Sequence, residues 1–295
     1  MMAMTSPTLP LRPRFLLVGD SITQQAFNPA GGWGARLADA YARRADVVLR
    51  GYSGYTSHHA LTVLADRLFP QAGGSAPDPP SLVTLWFGAN DAALPGPDRG
   101  SASQHVPVEA FEANILALAR RAAAAVAPGT GRVLVITPPP VHEPARIAHA
   151  AAQYGAPLDK PVDRSLAASG MYAAAACRAA AAAGVGCVDM WTLFQEDEGG
   201  GGGDEEVGSG LHHQAARHHH RATGGGPEGG PAPPPPPRWA ALLSDGLHFS
   251  PAGDEVAFNA ISAAIAAHAA HLSPGALPMD APEWGALGSF VEKSS

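Results

Sequence analysis

Five short apolar runs, each closed by turn residues, alternate along this chain with stretches of helical periodicity. The runs cover residues 15–18, 46–50, 82–87, 133–136 and 185–190, and the helical patterns cover 33–44, 57–69, 109–126, 166–183 and 251–271. Runs this short and continuous suit strands buried on both faces, which have no solvent side to alternate toward. Strand–helix alternation needs crossovers, and crossovers place helices on both faces of a parallel sheet. The expected fold is α/β: a three-layer α/β/α sandwich around a central parallel sheet of about five strands, in the flavodoxin-like order 2-1-3-4-5 with right-handed crossovers. In such sheets the loops that follow the strands build the site.

The helices carry their own signals. Trp33, Leu37 and Tyr41 recur on one face, as an amphipathic helix requires. The stretch 109–126 is alanine-rich and free of breakers. Pro251 suits a first helical turn. The stretch 91–108 and residues 138–164 read as long loops. The segment 196–238 is different in kind: an acidic patch, glycines at 199–203, histidines including His212, His213 and His218, and a proline run at 233–237. That composition cannot bury a core and reads as a disordered surface insertion. Its histidines read as solvated rather than as ligands, because metal sites need ordered supporting shells. The domain is placed at 14–272, with the insertion inside it and flexible tails at 1–13 and 273–295.

Composition excludes several classes. The 295 residues are 46% hydrophobic and 15% charged, with a net charge of −7. Without a basic stripe, nucleic acid is not an expected partner. No apolar run is long enough to cross a bilayer. Residues 1–13 lack the apolar core of a secretory signal, so a cytoplasmic location is expected. Cys177 and Cys187 do not form a C-x-x-C and read as reduced structural thiols.

Four short motifs carry chemistry. The first run leads into Gly19-Asp20-Ser21-Ile22. Ser21 sits at the carboxyl edge of a strand where a helix begins; it reads either as an N-cap or as a nucleophile. Gly54 is either a plain loop glycine or a backbone N–H open to close approach of a ligand. Asn90, in Gly88-Ala89-Asn90-Asp91, is either a turn residue or an amide donor to an oxyanion. Asp245 and His248, separated by Gly246-Leu247, form either a surface turn or the orienter and base of a serine triad.

Together, in this order and at strand ends, the four motifs resemble the SGNH hydrolases, the GDSL-type esterases and lipases. Further stretches, Gly31-Gly32-Trp33-Gly34, Gln104-His105-Val106-Pro107 and Asp189-Met190-Trp191-Thr192-Leu193 among them, look like the isoamyl acetate-hydrolysing esterase branch. The resemblance implies Ser21 as nucleophile, His248 as general base and Asp245 as its orienter. It implies an oxyanion hole of the Ser21 and Gly54 N–H groups and the Asn90 side chain, with no metal or organic cofactor. The implied partner is a small-molecule ester, with short-chain acetate esters foremost. Related possibilities are a glycan O-deacetylase, a lysophospholipase or a thioesterase, and, in another class, a non-catalytic binding protein. The insertion at 196–238 departs from the family pattern.

Overall fold

The computed structural model describes residues 11–70, 78–96, 102–159, 161–196 and 235–286. Five strands form one parallel sheet: β1 (Arg14–Gly19), β2 (Asp46–Gly51), β3 (Leu82–Trp86), β4 (Arg132–Ile136) and β5 (Gly186–Val188). Their order is β2-β1-β3-β4-β5, as the alternation of the sequence implies. Phe15 pairs with Val47 on one side and Leu82 on the other; Leu82 in turn pairs with Arg132. The central strand β3 is buried throughout, whereas β2, at an edge, is largely half-exposed.

Helices cover both faces because the strands carry apolar side chains on both; even at the edge, β2 turns Val47 and Leu49 to one cluster and Val48 to the other. On one face lie α2 (Trp33–Ala40), α8 (Met190–Gln195) and α9 (Pro251–His268), meeting the sheet through Trp33, Leu37, Phe194, Ile261 and Ile265. On the other lie α3 (Ser57–His59) and α4 (Ala65–Leu68), joined by a π turn, with α5 (Val108–Ala125) and α7 (Leu166–Ala183); Leu64, Phe111, Ile115 and Tyr172 stand in this core. α7 buries Ala175, Ala176, Ala179 and Ala180, and α5 buries Ala119 and Ala122. Small side chains let the two helix backbones approach closely. Trp33 and Phe87, at 0% and 1% exposure, are core residues.

Three features differ from the sequence expectations. First, residues 143–154 within the expected long loop form a helix, α6 (Glu143–Tyr154). Pro144 sits in its first turn and Gly155, at φ +64°, ends it. Second, the last strand is shorter: Asp189 caps α8 by accepting from the Thr192 N–H at 3.2 Å, so Met190 is helical. Third, Cys177 and Cys187 are joined in a disulfide rather than free. The turn at Gly184 folds α7 back onto β5 and brings the two Cα atoms to 5.4 Å, within bridging range.

The insertion lies outside the described residues over 197–234, and its histidines with it. Part of the expected loose tail is held in place. Arg44 donates to the Leu277 carbonyl, Arg43 to those of Ala281 and Pro282, and Arg12 pairs with Asp280 at 2.6 Å. Among the described residues no helix is long and apolar enough to cross a membrane.

Candidate active site

Short helix α1 (Ser21–Gln24) begins where β1 ends. Gly19 is forced by space: a Cβ there would lie 2.1 Å from Thr23 Oγ1 and 2.6 Å from the Trp86 carbonyl. Asp20 caps α1, its Oδ1 accepting from the Ile22 N–H at 2.9 Å. Ser21 is therefore the first helical residue, and a first-turn N–H has no intrahelical partner. The Asp20 carboxyl is fully buried, and its Oδ2 has no hydrogen-bond partner among the described residues. Burial, opposed by the Ile22 N–H, pushes its pKa up to about 7.

The Asp245–His248 turn meets Ser21 from the far end of the chain. His248 Nε2 lies 2.9 Å from Ser21 Oγ, and His248 Nδ1 lies 2.8 Å from Asp245 Oδ2. The other carboxylate oxygen accepts from the N–H groups of Leu247 at 2.9 Å and His248 at 2.8 Å. Burial raises the Asp245 carboxyl, but the hydrogen bond and charge of His248 and the two N–H donors outweigh it and hold the group well below the usual carboxylate range. Asp245 thus stays ionised. With Nδ1–H donating to Asp245, Nε2 is the acceptor for the Ser21 hydroxyl; this tautomer follows from the partners. Gly246 makes the turn possible: its φ is +83°, and a Cβ there would lie 2.5 Å from the His142 carbonyl.

Asn90 and Gly54 face the same space. Asn90 Nδ2 donates to the Tyr55 carbonyl at 2.9 Å, and its Oδ1 accepts from Arg164 at 3.0 Å. Gly54 stands at φ +79°, its carbonyl accepting from Gln104 at 3.1 Å. Behind Asn90 the Asp91 carboxylate receives the Ser57 N–H at 2.9 Å and hydroxyl at 2.5 Å, tying the β2 and β3 loops together. Burial, opposed by those Ser57 donors, pushes the Asp91 pKa up to about 6.

Ser21, Gly54, Asn90 and His248 line one cavity of about 440 Å³. Its far wall is apolar: Ile147, Ala150 and Tyr154 from α6, then Pro157, Pro161 and Val162. Both stretches that read as long loops contribute to it, through Gln104 and residues between 146 and 164, while His142 lies outside the lining and packs edge-on against Trp239. Arg146, Arg164 and Gln104 were not legible as site residues. For Arg164 the one available signal is its position just before Ser165, which caps α7 through the Ala168 N–H. Among the described residues no group of three or more His, Cys, Asp or Glu is placed to hold a metal ion.

Comparison with known proteins defines the class. The model of the GDSL-like lipase/acylhydrolase family matches residues 15–261, and the chain belongs to that family. A GDSL esterase/lipase of Arabidopsis thaliana is 36% identical over 272 residues, 92% of each chain. The isoamyl acetate-hydrolyzing esterase 1 homolog of Bos taurus is 36% identical over 247 residues, 84% of this chain and 79% of that one. Among solved structures, an acetylxylan esterase from Geobacillus stearothermophilus superposes with a TM-score of 0.53 at 17% identity, covering 88% of this chain and 96% of the other. This last likeness is one of fold. The protein is a carboxylic ester hydrolase of the GDSL type.

Proposed function

We propose that the protein is a serine esterase working through an acyl-enzyme, with Ser21 as nucleophile, His248 as general base and Asp245 as the group that orients it. The observation that supports this most is the continuous hydrogen-bonded series Ser21–His248–Asp245 opening into the cavity that Asn90 and Gly54 share. His248 Nε2 takes the Ser21 proton as Oγ attacks the ester carbonyl. The developing oxyanion is held by the N–H groups of Ser21 and Gly54 and by the Asn90 amide. That amide has two N–H donors, and Tyr55 occupies one, leaving the second for the oxyanion. The imidazolium, steadied by Asp245, then gives its proton to the leaving alcohol. Water repeats the cycle and releases the acid.

Likeness to isoamyl acetate-hydrolyzing relatives favours short-chain acetate esters as substrates. The cavity adds a second reading. Its volume of about 440 Å³ falls within the roughly 300–1,000 Å³ typical of pockets for larger organic ligands. Its apolar wall suits an ester with a longer hydrocarbon arm. The test is fluorophosphonate labelling of wild type beside Ser21→Ala, with turnover of p-nitrophenyl acetate, butyrate and octanoate. Labelling that requires Ser21 is expected, and the chain-length trend chooses between the substrate readings. No labelling of folded wild type would leave a binding role on a hydrolase scaffold.

A further inference from the structure

A line of charged groups runs along the cavity wall and joins the two halves of the site. Arg146, on α6, places Nη1 3.3 Å from Asp245 Oδ2 and Nη2 3.5 Å from Asp163 Oδ2. The same Asp163 oxygen lies 2.5 Å from Arg164 Nη1. Arg164, only 4% exposed, then donates from Nη2 to Asn90 Oδ1 at 3.0 Å. The series His248–Asp245–Arg146–Asp163–Arg164–Asn90 thus passes from base to oxyanion donor through two shared carboxylates, Asp245 and Asp163.

The seat of Arg146 is unusual. Helix α6 has no buried residue, so apolar packing does not fix it. It is held by polar contacts: the His142 N–H donates to the Gly246 carbonyl at 3.0 Å, Glu143 accepts from the Leu166 N–H at 3.1 Å, and Arg146 reaches the two aspartates. A cation on Asp245 opposes the imidazolium that the reaction creates. Asp163 draws that cation back and tempers the opposition. The same oxygen aims Arg164 at Asn90.

We infer that Arg146 and Asp163 are positioning residues that balance the Asp245–His248 pair against the Asn90 oxyanion donor. This rests on the serine-esterase reading above. Among the described residues, the charged or titratable groups around His248 are Asp245 at its Nδ1, Asp20 beneath Ser21, Arg164 in the same cavity lining, and Arg146, Asp163 and His149 beyond Asp245, the last 4.0 Å from Asp245 Oδ2. All but the substituted residue are common to every variant, so a difference between pH profiles isolates the substitution.

The experiment is the pH profile of kcat/KM for p-nitrophenyl acetate with wild type, Arg146→Met, Arg146→Lys and Asp163→Asn, each with its Tm. Removing the cation favours imidazolium, so Arg146→Met is expected to move the acidic limb to higher pH by about half a unit. Arg146→Lys retains the charge and is expected to return the limb. Asp163→Asn leaves Arg146 to Asp245 alone, so its limb is expected to move to lower pH. It is also expected to lower kcat about threefold, because Arg164 loses a charged partner while its contacts with Ala89, Asn90 and Gln104 remain. A purely structural role does not move the two limbs in opposite directions. Limbs that stay in place, or move together, in folded and active variants overturn the inference. If Arg146→Met does not fold, the Asp163→Asn shift decides alone. A wild type without turnover removes the esterase reading and this inference with it.

Discussion

Arg164 donates to Asn90 Oδ1 at 3.0 Å, and this contact agrees with the Tyr55 carbonyl in setting which end of the Asn90 amide faces the cavity. A guanidinium has no acceptor, so the amide oxygen must point to it and the NH₂ group toward Tyr55 and the site. If Asn90 is the oxyanion donor proposed above, Asn90→Ala is expected to lower kcat about 10²- to 10³-fold with KM nearly unchanged. Arg164→Met leaves Asn90 Oδ1, the Ala89 carbonyl and Gln104 Oε1 without their donor. It is expected to cost about 10- to 100-fold in kcat through misplacement. Arg164→Lys is not expected to rescue it, because an ammonium cannot span three acceptors in a plane. Steady-state kinetics on the three variants check this.

Gly246→Ala tests the turn that carries His248. Alanine at φ +83° is strained, and its methyl would sit 2.5 Å from the His142 carbonyl and 2.7 Å from the Arg146 N–H nitrogen. A loss of about 2 kcal/mol in urea unfolding is expected. Both kcat and KM are expected to change, since the contact falls between the His248 turn and the first turn of α6, which carries part of the cavity wall.

Asp20 makes stability fall with rising pH. Its carboxyl titrates near 4 in the unfolded chain and at about 7 when folded. Below both values the group is neutral in either state and contributes nothing. Between them the unfolded chain ionises while the fold resists, so stability is lost as pH rises from about 4 to about 7. Asp20→Asn keeps the acceptor for the Ile22 N–H and removes the titration. Its Tm, relative to wild type, is expected to be higher at pH 8 than at pH 5. A pH-independent difference between the two proteins would contradict this.

The Cys177–Cys187 bridge closes a loop of sequence separation 10. Replacing both by serine is expected to cost about 2–3 kcal/mol of stability, mostly by loosening the unfolded chain. Neither cysteine lines the cavity, so kcat at 25 °C is expected to stay within twofold. Thermal unfolding with and without reductant gives the same comparison on the wild type.

Strand positions and order were legible because buried parallel strands leave continuous apolar runs, and because Gly19, Gly88 and Pro138 stop three of them. Helix α6 was hidden for a physical reason. It buries no residue, and Ile147, Ala150 and Tyr154 turn to a cavity, so an apolar stripe facing the core was not there to be read. The disulfide pairs residues from a helix and a strand, and only the fold makes them neighbours. Ser21, Asn90, Asp245 and His248 were visible as motifs. Arg146 and Arg164 were not, since an arginine in a loop or at a surface helix has no local mark of the carboxylates it will meet.

The Ser21–His248 hydrogen bond joins residues 227 positions apart. A ribosome finishes β1 and the serine early, and delivers the histidine only after every strand of the sheet has been made. With Ser21 as nucleophile and His248 as base, as proposed above, the growing chain lacks that pair until the last turn docks. Ester turnover is then expected to begin only when the two ends of the domain have met.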